Sequence, residues 1–211
     1  MVRSEAWNQA DLAEEELMIL LCIGLILFIG IHSVRIVSDD FRTQFINERG
    51  ENTWKGVYSV LSLVGFVLLI YGYGLTRLDP TYLWHPPLVT RHIASLLMLF
   101  AFILLAAAYV PNNAIKARLR HPMTMAVKIW AFSHLIANGR LGDIVLFGAF
   151  LAWAVLTIVS CKKRDRLAGI TKDAALNTSV LATVSTIVVG IVAYCVFAIW
   201  LHVRLIGVSP F

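Results

Sequence analysis

The sequence predicts an all-α integral membrane protein, a six-transmembrane-helix bundle with both termini periplasmic. Three observations lead there: the composition, the length of the charge-free runs, and the placement of the basic residues between them. Of 211 residues, 59% are hydrophobic and 15% charged, with a mean hydropathy of +0.77. Soluble chains run nearer ~45–50% apolar and ~25% charged. The imbalance excludes a soluble domain, a disordered chain and a disulfide-stapled secreted module.

A helix needs about 20 mostly apolar residues to cross a hydrocarbon core of roughly 30 Å. Five stretches lack Asp, Glu, Lys and Arg for 18 or more residues: Leu17–Val34, Gly56–Thr76, His92–Ile115, Ile144–Cys161 and Ala174–Val203. A sixth, Pro122–Asn138, is apolar but carries Lys128 near its middle and His134 further on. Proline suits a helix start and Gly139 a helix stop, so this segment reads as a spanning helix, with a buried half-helix as the alternative. Loop charges favour six crossings. Alternating helices gather 12 Lys and Arg on one side (Arg35, Arg42, Arg49, Lys55, Lys116, Arg118, Arg120, Lys162, Lys163, Arg164, Arg166, Lys172) against 5 on the other (Arg3, Arg77, Arg91, Arg140, Arg204). The crowded side belongs in the cytoplasm. With 122–138 not spanning, the Lys162–Lys172 cluster changes sides and the asymmetry is lost.

Residues 1–16 form an acidic N-terminal extension, with Glu5, Asp11, Glu14, Glu15 and Glu16 against Arg3. Signal peptides start basic, so the following apolar run is expected to be the first helix of the mature protein, and 17–211 a single membrane domain. The net charge of +5 is explained by orientation and by anionic lipid, so the bilayer is the expected partner and nucleic acid is not. Cys22, Cys161 and Cys195 form no CxxC or CxxCH, which removes zinc ribbons, thioredoxin-type chemistry and covalent c-type haem.

Polar groups in hydrocarbon are costly, so each asks for a reason. Among six histidines, His85, His121 and His202 suit the interface, and His92 opens the third span. His32 and His134 do not fit so easily. They sit on the helical stripes Gly24–Phe28–His32–Arg35 and Trp130–His134–Asn138, which read as facing the bundle. Two readings stand side by side: interhelical hydrogen bonds, or axial ligands of a haem held between two helices. At a rise of about 1.5 Å per residue, His32 lies roughly 9 Å from the cytoplasmic edge and His134 roughly 18 Å from its own helix start, so a shared porphyrin needs tilt. Arg35 and Lys128 either snorkel and pair with acids or hold haem propionates. Tyr71, Tyr73 and Trp54 read as interfacial anchors. There is no nucleophile elbow, P-loop, dinucleotide turn or HExxH. Arg120–His121–Pro122 resembles the start of the isoprenylcysteine methyltransferase motif, but the Tyr and the late Glu pair of that family are missing.

Six ordered segments resemble the NnrU family of bacterial membrane proteins: Gly30–Arg35, Trp54–Ser59, Tyr71–Gly74, Ile115–Pro122, Trp130–Gly139 and the tail from Trp200 to Pro210. The resemblance implies a multi-pass protein of the bacterial inner membrane associated with denitrification, working beside nitrite or nitric oxide reductase machinery. The 15-cis-zeta-carotene isomerase family is similar to NnrU proteins and holds haem b with two histidines. Carried over by motif, the metal ligands fall on His32 and His134. That isomerase also has a Cys three residues before its second His as the candidate exchange ligand, where this chain has Ala131. The resemblance therefore implies haem b binding in nitrogen-oxide respiration. A haem-dependent cis–trans isomerase of a membrane-dissolved polyene or prenoid, and a non-enzymatic assembly factor for a reductase, remain as alternatives.

Overall fold

A computed structural model describes residues 2–170 and 177–211, with side chains from residue 18 onward. Lys172, the Ala174 start of the last expected span and the acidic side chains of the N-terminal extension fall outside the described residues. The helices are α1 (Val2–Val37), α2 (Asp39–Arg49), α3 (Glu51–Leu75), α4 (Leu88–Tyr109), α5 (Ala114–Leu119), α6 (Pro122–Ala137), α7 (Leu141–Leu167), α8 (Val180–Val196), a π-helical turn (Phe197–Leu201) and α9 (His202–Ile206). Among the described residues no strand forms, and an antiparallel bridge joins Tyr82 to Arg140.

Five helices are long and apolar enough to cross a membrane: Met18–Val37, Glu51–Leu75, Leu88–Tyr109, Leu141–Leu167 and Val180–Ile206. They coincide with the five charge-free runs, and their exposed side chains are overwhelmingly aliphatic and aromatic, which suits a lipid bilayer. Their ends differ from the sequence expectation for physical reasons. Charges do not stop a helix, so α3 begins at Glu51 and α7 runs on through Lys162–Arg166. Proline does: α4 ends at Tyr109 rather than Ile115, because Pro111 forces Val110 to extended backbone (φ −70°, ψ 122°). The sixth segment is a helix of 16 residues, about 24 Å long. Pro122 sits in its first turn, as expected.

The chain divides into two compact units, Met1–Trp84 with Arg140–Ala149, and His85–Gly139 with Phe150–Phe211. In the first, α1 and α3 pack antiparallel with small residues setting the register. Leu21 lies opposite Gly72, Gly24 opposite Leu69 and Phe28 opposite Gly65. A Cβ on Gly72 would come within 2.6 Å of the Leu21 backbone nitrogen, and one on Gly65 within 2.6 Å of that of Phe28. Without a hydrophobic driving force between helices, such close backbone approach supplies the dispersion contact that holds membrane helices together. Trp54, expected at the interface, is 8% exposed and packs edge-on against Phe45 of α2.

The second unit is built on α4, which packs against both α6 and α8. Ala94, Ala101 and Ala107 of α4, and Ala126, Ala131 and Ser133 of α6, are buried. α8 runs antiparallel to α4. Gly190 lies against Ile103, and nearer the other end the hydroxyls of Ser95 and Tyr194 are hydrogen-bonded at 2.5 Å.

Candidate functional site

The two histidines singled out by the sequence sit in matching local settings. In the first unit, Nδ1 of His32 donates to the Phe28 carbonyl, one turn back on α1, at 2.6 Å. The Phe28 ring stacks on the imidazole at 4.3 Å between centroids, and Tyr58 of α3 closes on it at 5.1 Å. In the second unit, Nδ1 of His134 donates to the Trp130 carbonyl, again one turn back, at 2.9 Å. The Trp130 ring lies 5.5 Å from the imidazole and meets Phe150 of α7 edge-on at 5.3 Å.

The chemistry of this arrangement is specific. A carbonyl accepts but cannot donate, so Nδ1 carries the proton and, in the neutral ring, Nε2 carries the lone pair. Metal-ligating histidines are fixed in this way, their second nitrogen donating to a carbonyl or carboxylate. The aromatic ring one turn earlier limits rotation about the side-chain bonds. Both imidazoles are half-buried.

His121 and His202 bond to groups outside the preceding turn of their own helix. His121 uses Nε2 rather than Nδ1, donating to Asp165 at 2.9 Å, and Arg120 reaches the same carboxylate at 3.2 Å. This ties the start of α6 to the end of α7. His202 donates from Nδ1 to Val208 at 2.7 Å and steadies the C-terminal turn. The two cations proposed alongside the ligands are both exposed. Arg35 follows His32 on α1 and lies 3.7 Å from Asp39, and Lys128 is exposed on α6.

Sequence reasoning missed a buried polar cluster in the first unit. Asp143 is 1% exposed and takes two hydrogen bonds from the Arg140 guanidinium, at 2.8 and 3.0 Å. It takes a third from the Tyr73 hydroxyl at 2.6 Å. Burial works against the Arg140 charge, but the hydrogen bonds and negative charge of Asp143 outweigh it and hold its pKa above the ordinary arginine value. Tyr73 is therefore a partner to a buried carboxylate. The signal available was the spacing Arg140–x–x–Asp143 at a helix start, which places a cation and an anion on one face.

The family to which these motifs point is also found by direct comparison: the NnrU family model, described as NnrU protein, matches residues 20–210. The chain belongs to the NnrU family. No curated protein and no solved structure matches it. In this NnrU-family protein, His32, Tyr58, Tyr73, His134 and Asp143 all lie inside the matched region.

Proposed function

We propose that this NnrU-family protein binds haem b through His32 and His134 and serves nitrogen-oxide respiration in the bacterial inner membrane. The observation that carries the reading is the paired geometry. Each imidazole donates from Nδ1 to the carbonyl one turn back, which leaves Nε2 in the ligand form. Such a haem would supply a one-electron centre or a site for a small gaseous ligand. The chain's own residues would orient its ligands: Phe28 and Trp130 pack against the imidazoles, and Tyr58 lies beside His32. Arg35 and Lys128 are the cations assigned to the propionates. In the same reading α6 completes a sixth crossing, both termini face the periplasm, and nitrite or nitric oxide reductase machinery is the partner. Ala131, 0% exposed on α6, supplies no thiolate one turn from His134, which sets this chain apart from the isomerase.

The test is the visible spectrum of detergent-purified protein from haem-replete cells, oxidised and then reduced with dithionite. Wild type is expected to show a Soret band with sharp b-type α and β bands on reduction, and His32→Ala and His134→Ala to lose that spectrum. A colourless wild type overturns the cofactor and leaves an assembly role in front. A normal haem spectrum, with unchanged growth on nitrite in a deletion strain, keeps the cofactor and overturns the respiratory assignment.

A further inference from the structure

The two charged ends of the chain's apolar helices are built on opposite plans. Around α2, the cations Arg35, Arg42, Arg49 and Lys55 meet the acids Asp39, Asp40, Glu48 and Glu51 in equal number. Three ion pairs form there: Arg35 and Arg42 to Asp39 at 3.7 and 3.9 Å, and Lys55 to Glu51 at 2.9 Å. In the second unit, Lys116, Arg118, Arg120, Lys162, Lys163, Arg164 and Arg166 have the single carboxylate of Asp165 among the described residues near them in sequence or contact. That carboxylate is taken by Arg120 and His121 at 3.2 and 2.9 Å. Arg164 turns to Ser160 and Cys161 on its own helix. Arg118, Lys162, Lys163 and Arg166 are exposed and form no ion pair with any described residue.

These cations stand on a knitted platform. Asn113, 1% exposed, donates to the carbonyls of Ala107 and Val110 and accepts from the Lys116 amide. The Ala114 amide donates to Thr183 of α8, and the Ser179 amide to Asn112. Arg120 holds a backbone φ of 66°, a region that residues other than glycine seldom adopt, while its guanidinium reaches Asp165 and the Ile170 carbonyl. Orienting a chain in the membrane needs only cations in a loop. It does not need the acid described among them to be paired twice, or the backbone at Arg120 to be fixed in a strained turn.

We propose that this end of the second unit is a binding surface for anionic phospholipid headgroups, gathered by Arg118, Lys162, Lys163 and Arg166. The occupant follows from charge and place. Among the described residues, Arg118, Lys162, Lys163 and Arg166 meet no acid, and they flank helices whose apolar faces are exposed, including Leu119 and Met123. A headgroup phosphate satisfies the cations while its acyl chains cover those faces. Juxtamembrane clusters of about four to eight Lys and Arg attract acidic lipid at roughly fivefold per side chain. The inference is independent of haem binding.

The experiment is native mass spectrometry of the full-length protein released from nanodiscs of equal phosphatidylcholine and phosphatidylglycerol. Wild type is expected to retain phosphatidylglycerol at least tenfold over phosphatidylcholine, a preference reduced by reconstitution at high salt. The Arg118→Gln, Lys162→Gln, Lys163→Gln, Arg166→Gln quadruple variant is expected to lose it. A control variant around α2, Arg42→Gln, Arg49→Gln, Lys55→Gln, is expected to keep it. Equal retention of both lipids by wild type overturns the proposal, as does a preference that survives in the quadruple variant or that millimolar inorganic phosphate erases at constant ionic strength. Should the quadruple variant not fold, the salt and phosphate series on wild type decide the matter alone.

Discussion

The first unit brings two helix backbones together through glycine; the second separates them mostly by alanine. In α1 and α3, three glycines let main chain touch main chain, and a buried carboxylate with two partners closes one end. Around α4, buried alanines line the contacts, Gly190 makes one close approach, and the polar bonds are between neutral groups or at the charged end. Yet His32 and His134 make the same hydrogen bond to the carbonyl four residues back, and each has the aromatic ring of that residue beside it. The lesson is that this setting is encoded locally, by an aromatic residue four positions before a histidine on one helix, and does not depend on how the surrounding helices pack.

The sharpest way to break the contrast is at the buried carboxylate, which only the first unit has among its described residues. Asp143→Ala leaves the Arg140 charge buried without its partner and is expected to destabilise by about 3–5 kcal/mol, read as unfolding by SDS titration in mixed micelles. Replacing both by apolar residues of similar volume, Arg140→Met with Asp143→Leu, is expected to recover most of that. A loss below about 1 kcal/mol in the single variant contradicts the buried cluster. Next comes close approach. Gly72→Leu drives a side chain into the Leu21 backbone and is expected to cost about 3 kcal/mol or more. Gly190→Leu, against the Ile103 backbone, tests whether the second unit also relies on one such contact, and a cost similar to Gly72→Leu is expected. The smallest effect is at Gly56 of α3, where a Cβ meets nothing within 4 Å. Gly56→Ala is expected to stabilise by about 0.5–1 kcal/mol through helix propensity, and a loss there contradicts its open surroundings.

Much of this was legible in the sequence. Runs free of charge marked the five long helices, because apolar length is what a bilayer demands, and Pro122 marked the start of α6. What the runs could not give was helix ends, since lysine and arginine extend helices readily while Pro111 ends one. Histidine stripes at helical spacing pointed to His32 and His134, and the aromatic residue in each stripe is the one beside the imidazole. Tyr58 and the Tyr73–Asp143–Arg140 cluster were hidden, because they depend on which residue of a second helix lies opposite, and spacing within one helix carries no such register. The packing of Trp54 was hidden for the same reason, since nothing within α3 says that Phe45 of α2 meets its ring.

We propose that the two imidazoles ligate one iron, and low-temperature electron paramagnetic resonance of the ferric protein tests this most directly. Wild type is expected to give a purely low-spin signal of two axial nitrogens. His32→Ala and His134→Ala are each expected to turn high-spin or lose haem, and added imidazole to restore the low-spin signal in whichever variant retains haem. A low-spin signal that persists unchanged in either single variant contradicts the account.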